Sequence, residues 1–358
     1  MAKDKMVLLL KDVWVNDIRE LRGWKYLISS HRIYKHGILI YHKDEIFLKL
    51  MKYSPQKGDL YIDFNPAKIK YGEIDSLNMD IFYEEICMLL DRELRGIFRC
   101  DTFFETNKNK LNMFKGEIYI DITINKEESE ALFRFIRKID IPRMKINLKY
   151  MGSGTIYFYG GNNLSSSNIV FKIYKKHEEL KTKRYHINSS VGIIRFELVL
   201  KRRKLLYDYK NAERLKRKKS YQVFHDLAEE HEDIKNIANI DYETSGDFET
   251  LSSTLYQFQK LYEFIVQKCN LNKIITTRDI LIDTIISRTP PTLCKKLCNY
   301  VKYVNGENTT MNVSKKTLSR YKEMILDLGY HYLYSDIEIQ PLHLEELFFK
   351  HLYYSSAA

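Results

Sequence analysis

The sequence predicts an α+β protein: a mainly antiparallel sheet with helices packed on one face in the N-terminal part, followed by a helical C-terminal domain of winged-helix or helix-turn-helix kind. Three observations predict it. Short segments of alternating character dominate residues 1–210, the period of a half-buried strand. Two stretches with apolar residues at helical spacing interrupt them, an order that argues for α+β. Beyond residue 246 helical spacing takes over.

In chain order, strands are expected at HGILIYH (36–42), DLYIDFN (59–65), EIYIDITIN (117–125), GTIYFYG (154–160), NIVFKIY (168–174) and GIIRFELVL (192–200). Helices are expected at DIFYEEICMLLDRELR (80–95) and EESEALFRFIRK (127–138). The loop GGNNLSSSN (160–168) is rich in turn formers and joins two strands. Residues 201–219 carry ten Lys or Arg against two acids; in a chain of this charge they read as a phosphate-contacting segment, Lys201, Arg202 and Arg203 leading it. Then come helical patterns at 247–269, 278–288, 292–304 and 315–329, broken by Pro290-Pro291 and Asn305-Gly306. Ser314 is placed to cap the last of these, which bears Lys315, Lys316, Ser319, Arg320 and Lys322. The expected organisation is a domain over 1–210, a basic linker or helix over 211–245 and a helical DNA-binding or accessory domain over 246–358.

Composition narrows the class. At 358 residues the chain exceeds one ordinary domain, and 44% hydrophobic content supports real cores. A net charge of +11 points to a polyanionic partner, nucleic acid before anionic membrane. The 27 tyrosines suit stacking on bases, and for that reason no single one stands out. The run VLLL is too short for a leader, and no stretch of about 20 apolar residues could span a bilayer. A cytoplasmic location is expected. The five cysteines are scattered; Cys294 and Cys298 share a helix face, and an apolar face explains them better than zinc.

Parity sorts the strand residues. Side chains alternate across a strand, so Ile118, Ile120 and Ile122 oppose Tyr119 and Asp121; Leu60 and Ile62 oppose Asp63; Ile194, Phe196 and Leu198 oppose Arg195 and Glu197. Tyr174 shares a face with Lys172. If these strands join one sheet, Asp63, Asp121, Glu197 and Tyr174 project from the face away from the helices. Crowded carboxylates are costly without a cation, so a hard divalent ion, Mg²⁺ or Mn²⁺, is expected beside an aromatic hydroxyl. The bland alternative is a half-exposed sheet with polar residues turned to water.

Four segments in order, YIDFNPAKIKYG (61–72), GEIYIDITIN (116–125), GTIYFYGG…NIVFKIYKKHEEL (154–180) and GIIRFELVLKRRKL (192–205), resemble the replication initiators of filamentous phages and related plasmids, the gene II/gene X group. VSKKTLSRYKEMILDLGYHY (313–332) is similar to that group's C-terminal helix segment. The resemblance covers 59–205 well and the rest weakly. It implies a rolling-circle nicking fold and single-strand nicking and joining of DNA at a replication origin, with Tyr174 as nucleophile. The same resemblance makes Asp121, Glu197 and either Glu179 or Asp63 the metal ligands. Lys172, Lys175 and Lys176 would lower the phenol pKa by Coulombic attraction and hold adjoining phosphates. Arg195 is either a transition-state clamp or the ion-pair partner of Glu197. The implied partners are double-stranded origin DNA, the nicked single strand, and a host helicase, polymerase and single-strand binding protein. The group commonly has an acid directly after the tyrosine, where this chain has Lys175. No His-x-His occurs, so carboxylates would have to hold the ion. Two other functions compete: a non-catalytic origin-binding regulator, and a hydrolytic metal nuclease in which Tyr174 only stacks a base.

Overall fold

The computed structural model describes residues 2–19, 25–27, 38–52, 57–66, 68–70, 83–147, 154–182, 192–211, 214–215, 217–230, 254–307 and 310–356. Residues 36–37 of the first expected strand, 80–82 of the first expected helix, 247–253 of the long helix and 231–245 of the expected linker lie outside them.

The architecture is α+β. Strands β1 (Ala2–Trp14), β2 (Lys25–Leu27), β3 (Ile38–Lys43), β4 (Ile46–Lys52), β5 (Lys57–Phe64), β6 (Leu111–Thr123), β7 (Lys145–Asn147), β8 (Thr155–Tyr159), β9 (Ile169–Lys175) and β10 (Ile193–Lys201) hydrogen-bond in the order β2-β3-β4-β5-β1-β6-β10-β9-β8-β7. Two compact units interleave along the chain: unit 1 comprises Met1–Tyr119, Ser165–Val170 and Glu197–Lys260, and unit 2 comprises Ile120–Leu164, Phe171–Phe196 and Leu261–Ala358.

Unit 1 is built on an antiparallel meander. β3 and β4 turn through Asp44-Glu45, and Asp44 adopts φ +48°, a left-handed conformation that Asp tolerates better than most residues. β4 then pairs with β5 from Ile46↔Phe64 to Lys52↔Gly58. A Cβ on Gly58 would lie 2.5 Å from the Met51 carbonyl oxygen, so only glycine allows that approach. β1 pairs with β5 and β6, and Asp12, at φ +56°, marks a bulge where the register shifts between Leu10 and Val13. One sheet face is wholly buried: Met6, Leu8 and Leu10, Ile46, Leu48 and Leu50, and Leu60, Ile62 and Phe64. The other carries Val7, Phe47, Lys49, Met51, Tyr61 and Asp63 around an open basin.

Helix α1 (Tyr83–Glu93) carries Asp91 in its last turn, and the Asp91 carboxylate accepts from the Phe104 and Glu105 amides at 2.8 and 3.0 Å and so caps the short α2 (Phe103–Thr106). Helices α5 (Arg202–Lys210) and α7 (Thr254–Tyr262) are pinned by a buried charge cluster. Asp208 takes Lys204 Nζ at 2.6 Å, Lys260 Nζ at 2.9 Å and the Tyr256 hydroxyl at 2.8 Å. Helix α6 (Lys219–Glu230) lies between them in sequence.

Unit 2 opens with α3 (Lys126–Ile136), whose start is a capping box: Asn125 accepts from the Glu128 amide at 2.7 Å, and Glu128 accepts from the Asn125 amide at 3.2 Å. Leu132, Phe135 and Ile136 bury its apolar stripe. Phe171 of β9 lies 6.2 Å from Phe158 and Phe196 and 5.6 Å from Phe264, in the π-helical turn Glu263–Lys268. Short α4 (Lys176–Thr182) follows β9 directly. The C-terminal helices are α8 (Arg278–Arg288), α9 (Pro291–Val304), α10 (Lys315–Asp327) and α11 (Leu344–Ser356). Ser314 caps α10 as expected, accepting from the Thr317 amide at 3.2 Å. Single bridges join Ile274 to Tyr330, Ile275 to Leu342 and Thr277 to Ser335. His331 is buried among them, accepting at Nδ1 from the Leu333 amide at 3.1 Å with Nε2 3.3 Å from the Cys269 carbonyl oxygen. That pattern fixes the neutral tautomer with the proton on Nε2, and burial pushes its pKa down to about 3.

Candidate active site

The residues expected to work with Tyr174 come together in part, in unit 2, where β6 ends, β9 runs into α4 and β10 begins. Asp121, on the polar parity of β6, is gripped by Arg195 of β10. Nε donates to Oδ1 and Nη2 to Oδ2, both at 2.7 Å. The two side chains are 8% and 2% exposed, so this is a buried, bidentate, charge-assisted pair. At the β9–α4 junction Lys176 Nζ donates to Glu179 Oε2 at 2.6 Å, three residues along the first turn of the helix. Burial, then the like charge of Arg195, hold the Lys176 ammonium below the ordinary lysine range against the opposing pull of Glu179 and Asp121. Lys176 Nζ lies 5.9 Å from the centre of the Tyr174 ring. Tyr174 itself is buried, 6% exposed.

Lys175, standing where the resembling group has an acid, turns away to carboxylates. It pairs with Glu130 of α3 and lies 3.8 Å from Glu178, with the Phe133 ring centre 5.1 Å from its Nζ. Hydrogen bonding from Lys175 holds the Glu130 carboxyl below its usual range. Gly154, at φ +68° before β8, leaves room for Glu178: a Cβ there would fall 1.9 Å from Glu178 Oε2. Glu130, Glu178 and Gly154 were not expected from sequence at this place. The three-residue spacing of Lys175 and Glu178 on a helix start was the available signal. Lys172 is half-buried on β9.

Asp63, on β5 of unit 1, has Lys5 Nζ 3.0 Å from its Oδ1. Glu197 of β10 is buried, 2% exposed. Arg195 is expected as a clamp or as the partner of Glu197; a carboxylate that it does hold is Asp121. Of the basic residues, Lys201 donates to the Ser165 carbonyl and Arg202 to Asn112 Oδ1 at 3.4 Å, while Arg203 is exposed. Lys204 is taken up by Asp208. Lys315, Lys316 and Arg320 are exposed on α10.

The expected Mg²⁺ or Mn²⁺ does not fit this donor set. Among the described residues no three His, Cys, Asp or Glu side chains are grouped to hold a metal ion. Asp121 and Glu179 each already carry a hydrogen-bonded cation, and a further cation beside the Arg195 guanidinium would be repelled. The counter-charges in this part of unit 2 are a guanidinium and an ammonium.

The chain matches no family model and no curated protein. It has a weak structural similarity to a rolling circle replication initiator protein from Geobacillus stearothermophilus. The likeness covers 57% of this chain and 74% of that one, at 13% identity and a TM-score of 0.29. No helix among the described residues is long and apolar enough to cross a membrane.

Proposed function

We propose that the chain is a rolling-circle replication initiator that nicks and rejoins one strand of origin DNA through Tyr174. The observation that carries this is Lys176 Nζ 5.9 Å from the centre of the Tyr174 ring, at the position where the initiator-like motif puts its nucleophile. The Tyr174 oxygen attacks the scissile phosphorus, a phosphotyrosyl bond forms, and the bond from phosphorus to the 3′ oxygen breaks. Lys176 acts from its neutral amine form, which burial favours over the ammonium; it accepts the phenol proton as the phosphotyrosyl bond forms and hands it to the departing 3′ oxygen. The 3′ oxygen leaves as a hydroxyl and primes a host polymerase, with a host helicase and single-strand binding protein clearing the displaced strand. Arg195 supplies positive charge for the phosphate oxygens. Because Tyr174 is 6% exposed, a phosphodiester reaches it only after local opening. The duplex is held through exposed Lys315, Lys316 and Arg320 of α10, in a winged-helix arrangement formed by α8 to α10 and the bridges to Ile274, Ile275 and Thr277.

A supercoiled plasmid bearing the cognate origin tests this. The expected result is a nick with a protein–DNA adduct that survives denaturant, absent in Tyr174→Phe. Cleavage without adduct, retained in the phenylalanine variant, would make water the nucleophile. Origin binding without cleavage would make the chain a regulator. Repeating the assay with a chelator asks about the carboxylates: loss of the adduct would mean that Asp121 or Glu179 exchanges its basic partner for a metal when DNA arrives.

A further inference from the structure

We propose that the open face of the unit 1 sheet is a stacking platform for single-stranded nucleic acid, centred on Phe114 and Tyr61. β6 carries a bulge against β1: Val7 pairs with Lys115 and Leu8 with Met113, so Phe114 is the unpaired residue between. Bulges re-aim side chains, and this one leaves a phenylalanine 38% exposed, edge-on to Tyr61 with ring centres 5.1 Å apart at 89°. Both rings line a basin of about 290 Å³ with Phe47, Met51, Val7, Lys49 and Asp63. That volume is at the small end for a ligand pocket and admits a flat group rather than a folded chain. Lys49 lies directly across from Tyr61 in the β4–β5 register, so an ammonium stands next to the ring.

Aromatic rings on an open sheet, flanked by lysine, take splayed bases on the rings and phosphates on the cations. The carboxylate in the basin, Asp63, does not oppose this, because Lys5 neutralises it. The chain's net charge of +11 favours a polyanion over an uncharged apolar ligand. Duplex DNA cannot use the platform, since its bases are already stacked. The proposal shares with the nicking reaction only the class of ligand, and it uses none of Tyr174, Lys176 or Arg195.

The test is fluorescence anisotropy of labelled oligo(dT) with the full chain, in salt high enough to suppress general phosphate binding. Phe114→Ala, at a half-exposed position, is expected to fold normally by circular dichroism and to weaken binding roughly 5- to 150-fold, the effect of losing one stacked base. Phe114→Tyr, which keeps a ring, is expected to bind as wild type, and Lys49→Gln to bind more weakly with a shallower salt dependence. A duplex probe should not distinguish Phe114→Ala from wild type. Wild-type affinity for oligo(dT) in Phe114→Ala, or equal loss in the alanine and tyrosine variants, overturns the platform. If no adduct ever forms on origin DNA yet Phe114→Ala still loses binding, the platform stands and the nicking chemistry falls.

Discussion

Replacing Asp121 by asparagine should destabilise the protein far more than a surface change would. The wild-type carboxylate accepts two hydrogen bonds from Arg195, each 2.7 Å long. Hydrogen bonds to charged groups contribute about 1.5–3 kcal/mol each, which bounds the loss at about 3–6 kcal/mol. Breaking a buried pair by removing one partner costs about 3–5 kcal/mol, because the other charge stays behind uncompensated. Asparagine can still accept one bond from the guanidinium, so the low end, about 3 kcal/mol, is the expectation. That is a large share of an ordinary domain's stability. Adding Arg195→Met removes the stranded cation, and the double variant should recover most of the loss. Urea unfolding with the slope checked for constancy measures both. An Asp121→Asn protein within about 0.5 kcal/mol of wild type, the range of ordinary surface substitutions, would refute the pairing and leave Asp121 available to an ion.

Three further outcomes follow from the same coordinates. Asp208→Ala strands Lys260, which is 2% exposed, and should cost about 3–5 kcal/mol, with Lys260→Met in the same chain restoring most of it. Burial raises the Asp208 carboxyl, but Lys260 and Lys204 outweigh it and hold the group below 3.8. Its contribution is therefore present above pH 3.8 and is lost as pH falls through its lower folded value, which acid titration of urea midpoints in wild type and Asp208→Asn would show. His331 has the same sign at higher pH. Its folded pKa of about 3 lies below the unfolded 6.5, so stability is full above 6.5 and falls by up to about 1.4 kcal/mol per pH unit beneath it. His331→Gln should flatten that slope between pH 7 and pH 5. Finally, Gly192→Ala should cost more in thermal unfolding than Gly96→Ala. Both have left-handed φ, worth about 1–2 kcal/mol, but a Cβ on Gly192 would meet the Ile124 carbonyl oxygen at 2.1 Å whereas nothing lies within 4 Å at Gly96.

The alternation rule found β5, which buries one face, and missed β1, which buries both at its middle. All of DLYIDFN but Asn65 lies in β5, where buried and half-exposed residues alternate without a break. β1 was not among the expected strands, because Leu8, Leu9 and Leu10 are all buried at the middle of the strand order and no period of two is left to see. β4 is a different case. Ile46, Leu48 and Leu50 are buried and alternate with half-buried Phe47, Lys49 and Met51, so its period of two is present in the sequence. The basic segment at 201–219 reads as phosphate-contacting, yet α5 buries Leu205 and Asp208 within it. What selects that face is Lys260, too distant in sequence for any local window to connect.

At the candidate site parity carried the face and not the partner. It put Arg195 and Glu197 on one side of β10 and left open whether Arg195 clamps a phosphate or pairs with Glu197. Residues two apart on a strand point the same way but stand about 6–7 Å apart along it, while a neighbouring strand brings side chains to about 4.5–5.5 Å. Which strand neighbours β10 is a matter of topology; here it is β6, and β6 presents Asp121. The same reasoning explains why acids expected to gather around a cation did not need one. A buried carboxylate takes the nearest counter-charge the fold offers, and in a chain with 58 Lys and Arg against 47 Asp and Glu that counter-charge is a side chain. Tyr174 thus acquires a basic neighbour in Lys176, held by Glu179 three residues on, and Lys176 in turn feels the charge of Arg195, held by Asp121 across strands. The motif indicates which tyrosine to examine. The charge beside it is set by which strands are neighbours, and that is information a single sequence carries only in its long-range pairings.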